Sequence, residues 1–109
     1  MIARRWVGRV PAERREAYIA YLEQTGLADY AATPGHRSTL ALHRTQEGVT
    51  TFELTTLWDS IDAIRAFAGD DISLARYYPE DPEFLLELPE RVEHWEVVNA
   101  IARSPLGPD

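Results

Sequence analysis

Arg37-Ser38-Thr39-Leu40-Ala41-Leu42-His43-Arg44-Thr45, then Gln46-Glu47-Gly48, then Val49-Thr50-Thr51-Phe52-Glu53-Leu54-Thr55-Thr56-Leu57-Trp58: the fold is decided in this stretch. Both flanks are rich in β-branched and aromatic strand formers. The segment between them is short and contains glycine, so 37–45 and 49–58 read as the arms of a β-hairpin. On the C-terminal side, Asp59 or Ser60 caps a helix with Ile61, Ile64 and Phe67 on one face, ended by Gly69. On the N-terminal side, Leu27 to Gly35 is expected as an irregular connector closed by Pro34-Gly35. Before it, a helix from Pro11 to about Thr25 carries the stripe Ala17, Tyr18, Tyr21 and Leu22, with Gly26 as its left-handed cap. Residues 2–10 form a first strand that Pro11 stops.

Downstream, Asp70 or Asp71 caps a short third helix through Tyr77, and Pro79 ends it. Pro82 to Leu88 adds a helical turn, residues 90–98 form a last strand, and the tail over 100–109 is expected to fray. The order β-α-β-β-α-β makes one α+β domain over 1–109. Its architecture is a ferredoxin-like sandwich, a four-stranded sheet with both long helices on one face. The uncovered face is expected to hold Trp6, Leu57 and one of His94 or Trp95, too apolar for open water. Two such sheets packing face to face would give a homodimer.

Composition narrows the function classes. Arginine supplies all 11 cations against 18 carboxylates, for a net charge of −7. Such a chain is a poor general ligand for nucleic acid or an anionic membrane. Cysteine is absent, which removes disulfides, thiol nucleophiles and cysteine-based metal sites. His36, His43 and His94 have no metal-ligand spacing. Arg4 and Arg5 precede no apolar run, so no signal peptide or spanning segment is expected and the protein is placed in the cytoplasm.

The run Leu57-Trp58-Asp59-Ser60-Ile61-Asp62-Ala63-Ile64-Arg65-Ala66-Phe67-Ala68-Gly69-Asp70-Asp71 resembles the strand-to-helix signature of the antibiotic biosynthesis monooxygenase (ABM) superfamily. So does the closing Glu90-Arg91-Val92-Glu93-His94-Trp95-Glu96-Val97, and nearly the whole chain follows the pattern. The resemblance implies a dimeric α+β barrel with one pocket per subunit between sheet and helices. It favours oxygenation without a cofactor. The haem-degrading branch uses an Asn on the first strand and a His after the second helix. Here the only Asn is Asn99, and residues 60–90 contain no His, which sets that branch aside.

Cofactor-free oxygenation needs an apolar pocket for a flat aromatic, a base and a partner for the resulting anion. Alternation places Ile2, Arg4, Trp6 and Gly8 on one face of the first strand, and Thr51, Glu53, Thr55 and Leu57 on one face of the third. With Phe52 and Leu54 turned to the helices, Arg4, Trp6, Glu53, Thr55 and His94 are expected to meet on the barrel side. His94 is the base candidate or a hydrogen-bonded barrel residue. Glu53 is an ion-pair partner of Arg4 or a second catalytic group. Trp6 and Trp95 stack a planar ligand or anchor core and interface, and Trp58 is a wall or plug against the helices. Tyr77 and Tyr78 sit at the pocket mouth. His36 is read as a solvated loop residue, and Glu80, Asp81, Glu83, Glu87, Glu90, Glu93 and Glu96 as a solvated acidic face.

Three readings follow. The first is a cofactor-independent monooxygenase acting on a small hydrophobic aromatic, polyketide-type or quinol compound. The second is a non-oxidative isomerase or cyclase of the same barrel. The third is a non-catalytic dimeric ligand-binding protein.

Overall fold

A computed structural model describes residues 1–103. Strands β1 (Ile2–Pro11), β2 (His36–Gln46), β3 (Val49–Trp58) and β4 (Glu93–Glu96) form one sheet in the order β2-β3-β1-β4. Every neighbouring pair is antiparallel. The helices are α1 (Arg15–Gln24), α2 (Gly26–Ala32), α3 (Ile61–Ala68) and the single turn α4 (Asp81–Phe84). This is the expected ferredoxin-like α+β arrangement. The hairpin closes through Glu47 and Gly48, both with positive φ (51° and 78°), the backbone twist a two-residue connection requires. Ser60 caps α3 by accepting the Ala63 N–H at 3.1 Å, and Gly69, at φ 94°, ends it.

Burial alternates strictly along β1 and β3. Arg4, Trp6, Gly8 and Val10 share the helix-covered face with Thr50, Phe52, Leu54, Thr56 and Trp58. The core lies between this face and the helices, where Trp58, Tyr18, Ile64 and Val10 are sealed. The Trp6 indole folds back over Gly8, where a Cβ would stand only 2.2 Å from its Cη2, so glycine is what lets the ring lie flat there.

Four expectations are corrected. Leu27–Gly35 is not a connector: α2 occupies most of it, because Gly26 enters a second helix instead of capping the first. The break sits at Thr25, and the Asp29 N–H bonds its carbonyl at 3.0 Å. The helix expected from Asp70 to Tyr77 is absent. That backbone pairs with the chain near β4 instead, through Ala75 N–H to Glu90 O (2.8 Å) and Val92 N–H to Ser73 O (2.9 Å). β4 is therefore four residues long rather than nine; the helical turn expected over Pro82 to Leu88 does form, over Asp81–Phe84. Of the expected fraying tail, 104–109 lie outside the described residues.

The fourth correction concerns the faces. Trp6 belongs to the core. The uncovered face carries Leu57 and Trp95, as expected, joined by Leu40 and Leu42 through the register Leu40↔Thr55 and Leu42↔Glu53. No described helix is long and apolar enough to cross a membrane.

Candidate functional site

Arg4 is the unusual residue of the core. It is only 3% exposed, yet among the described residues it has no carboxylate partner. Its Nη1 donates to the Ile72 carbonyl and to His94 Nε2 (3.1 Å), and its Nη2 donates to the Leu74 carbonyl (3.0 Å). A guanidinium only donates, so His94 Nε2 accepts and the imidazole carries its proton on Nδ1. Strand pairing sets this contact, since Arg4 lies opposite His94 in the β1–β4 register.

Burial first, then the Arg4 charge, lowers the His94 pKa below its usual 6.5. The unfolded chain therefore takes up the proton before the folded one does. Stability is complete above about pH 6.5 and falls as the pH drops towards the folded value. We expect urea midpoints to fall between pH 7 and pH 5, with a smaller fall in His94→Gln. A residual slope should remain, because burial also lowers His36.

Beside Arg4 a cleft opens between sheet and helices, with a volume of about 30 Å³. Arg4, Trp6 and Leu54 make its floor, Tyr18 and Tyr30 one wall, and Phe67, Arg76, Tyr77 and Tyr78 the other. Small-molecule sites begin at about 300 Å³, so the closed cleft holds a few water-sized atoms and no aromatic ring system. Tyrosines fasten the segment that closes it. Tyr78 Oη donates to Asp29 (2.6 Å), Tyr18 Oη to Asp81 (2.9 Å), and Tyr21 Oη accepts the Glu80 N–H (2.9 Å). Trp6 Nε1 donates to Tyr77 Oη at 3.3 Å. Arg76 spans Phe67 and Tyr78, its Cζ 4.8 and 5.0 Å from the ring centroids, and bonds Asp29 at 3.2 Å.

Tyr30 is the residue sequence reasoning missed, because α2 was read as connector. Burial pushes its hydroxyl up to about 12, although Arg4 and Arg76 both pull it down. Asp81 was missed too. It is no part of a solvated face but is 4% exposed, with one oxygen on Tyr18 and the other on the Tyr78 N–H (2.7 Å). Glu80, Glu83, Glu87, Glu90, Glu93 and Glu96 are exposed as expected. Neither buried residue has a periodic signal; only the two tyrosines before Pro79 hint that the segment packs inward.

The expected set thus divides. Arg4, Trp6, Tyr77 and Tyr78 line the cleft, and His94 touches Arg4 from behind without lining it. Glu53 and Thr55 are on the opposite face of the sheet and do not meet Arg4. Glu53 pairs with Arg5 at 2.9 Å, a contact that holds its carboxylate below the usual range. Trp95 is 60% exposed on that same face. Trp58 is sealed in the core, its Nε1 on Thr56 Oγ1 at 2.7 Å. His36 is half-buried, its ring 6.0 Å from Tyr30 and 5.3 Å from Trp58, and is not a loop residue.

No family model matches the chain, and no curated protein matches it. Among solved structures, a candidate antibiotic biosynthesis monooxygenase from Bacillus cereus is similar over 94% of this chain and 98% of its own. The TM-score is 0.57 at 16% sequence identity. The likeness extends over almost the whole of both chains and shows a shared fold.

Proposed function

We propose that the protein is a cofactor-independent monooxygenase-like enzyme, a cytoplasmic homodimer acting on a small aromatic, polyketide-type or quinol compound. The observation that carries this reading is the buried Arg4, without a carboxylate partner, facing an aromatic-lined cleft with a neutral His94 on its far side. An isolated buried cation is costly to keep. An anionic ligand would offset that cost.

In the reaction a base removes a proton from an activated C–H, and the electron-rich anion reduces O₂ by one electron. Recombination of the radical pair gives a peroxide, which loses water to leave a carbonyl. One oxygen atom enters the product, and the other departs as water with two substrate hydrogens. Arg4 stabilises the anion. His94 is the proton acceptor. For it to take the proton, Arg4 Nη1 must first leave the Nε2 lone pair it occupies and turn to the substrate anion, because His94 has no other basic nitrogen and does not line the closed cleft. Entry requires the segment bearing Tyr77 and Tyr78 to swing out. A second copy would cover the face that exposes Leu40 and Trp95.

The test is O₂ uptake with 1,8-dihydroxyanthrone. One O₂ consumed per quinone formed is expected, with a loss of about 10²-fold or more in His94→Gln and an unchanged dimer by gel filtration. Full activity in His94→Gln would remove His94 as base. No uptake by the wild type would favour a non-oxidative isomerase or cyclase, or a non-catalytic binding protein; the small closed cleft supports that second reading.

A further inference from the structure

Arg4 uses three of its N–H donors, on Ile72, His94 and Leu74. The Nε–H and the second Nη2–H have no partner among the described residues. Nε and Nη2 share the side-on edge of the guanidinium, the edge that a carboxylate matches with two parallel hydrogen bonds. The Tyr30 hydroxyl also lacks a partner among the described residues and lines the same cleft. No fully sealed side-chain N or O atom is left unpaired among those residues, so the unpartnered Arg4 Nε and Tyr30 Oη are not sealed within protein. The nearby acid Asp81 does not compete, because both its oxygens are held by Tyr18 and Tyr78.

We propose that the cleft is a carboxylate site, taking the –COO⁻ of a small organic acid on the Arg4 side-on fork and the Tyr30 hydroxyl. The volume of about 30 Å³ accommodates such a headgroup in the closed state, before any larger body of the ligand enters. This rests on reading the cleft as a ligand site and deepens it: the natural substrate or product carries a carboxylate, a group that 1,8-dihydroxyanthrone lacks, so that compound tests the oxygen chemistry alone. The paired donors favour a planar, two-oxygen anion over a spherical halide, which offers them one shared acceptor instead of one each.

The experiment is calorimetric titration of the full chain with acetate, using acetamide and chloride at equal ionic strength as comparisons. Saturable acetate binding is expected, with neither comparison competing. Tyr30→Phe, which deletes a hydroxyl the protein itself does not use, should weaken acetate at least fivefold while leaving the unfolding transition in place. Arg4→Lys should weaken it further. Absence of acetate binding by the folded wild type overturns the proposal, as does equal binding of chloride or unchanged affinity in Tyr30→Phe. The titration involves no turnover, so its failure is distinct from failure of the O₂-uptake assay.

Discussion

Arg4→Lys is expected to lower turnover of an anionic substrate by about 10²–10³-fold, the usual cost of removing a preorganised donor to a developing anion. The substitution keeps a positive charge on β1 but replaces a planar fork by a point charge. A lysine ammonium has three donors and can retain bonds to the Ile72 and Leu74 carbonyls, so the fold should persist with a loss of about 1–2 kcal/mol. Steady-state kinetics and urea unfolding on the same preparation separate the two effects. A fastener role for Arg4 would show the stability loss without the kinetic one.

Trp58→Ala is expected to cost about 3–5 kcal/mol, the range for deleting a fully buried tryptophan. A domain this size has about 5–15 kcal/mol in all, so the variant should sit close to its unfolding threshold. Trp58 is completely buried and also continues into the site. Its Nε1 donates to Thr56 Oγ1, whose hydroxyl donates to the Arg4 carbonyl at 3.3 Å. Trp58→Phe retains most of the packing but loses that relay. It should cost less in urea, with any remaining loss appearing in ligand affinity.

The hairpin, the α3 cap and the element order were legible because each has a local cause: strand formers around a positive-φ turn, a serine cap, a glycine stop. The meeting of Arg4 with His94 was anticipated, but on the barrel side, whereas it occurs on the helix-covered face. The relative phase of β1 and β3 was not legible. Both faces of β1 carry arginine, Arg4 on one and Arg5 and Arg9 on the other, so polarity gives no contrast by which to choose. The chain pairs Trp6 with Leu54 and Gly8 with Phe52, which moves Glu53 to the far side, onto Arg5. Tyr30 and Asp81 depend on contacts distant in sequence. Tyr30 reaches the cleft because α1 breaks at Thr25, and Asp81 is buried because Tyr18 donates to it across 63 positions.

The most direct test of the claim that Arg4 is held for an anion is the Arg4 Nε–H signal in ¹⁵N-edited NMR, assigned by its loss in Arg4→Lys. If the fork receives a carboxylate, acetate will move that signal saturably, with the same midpoint as the calorimetric titration. An Arg4 signal that acetate leaves in place, in a chain that is otherwise folded, would contradict the account.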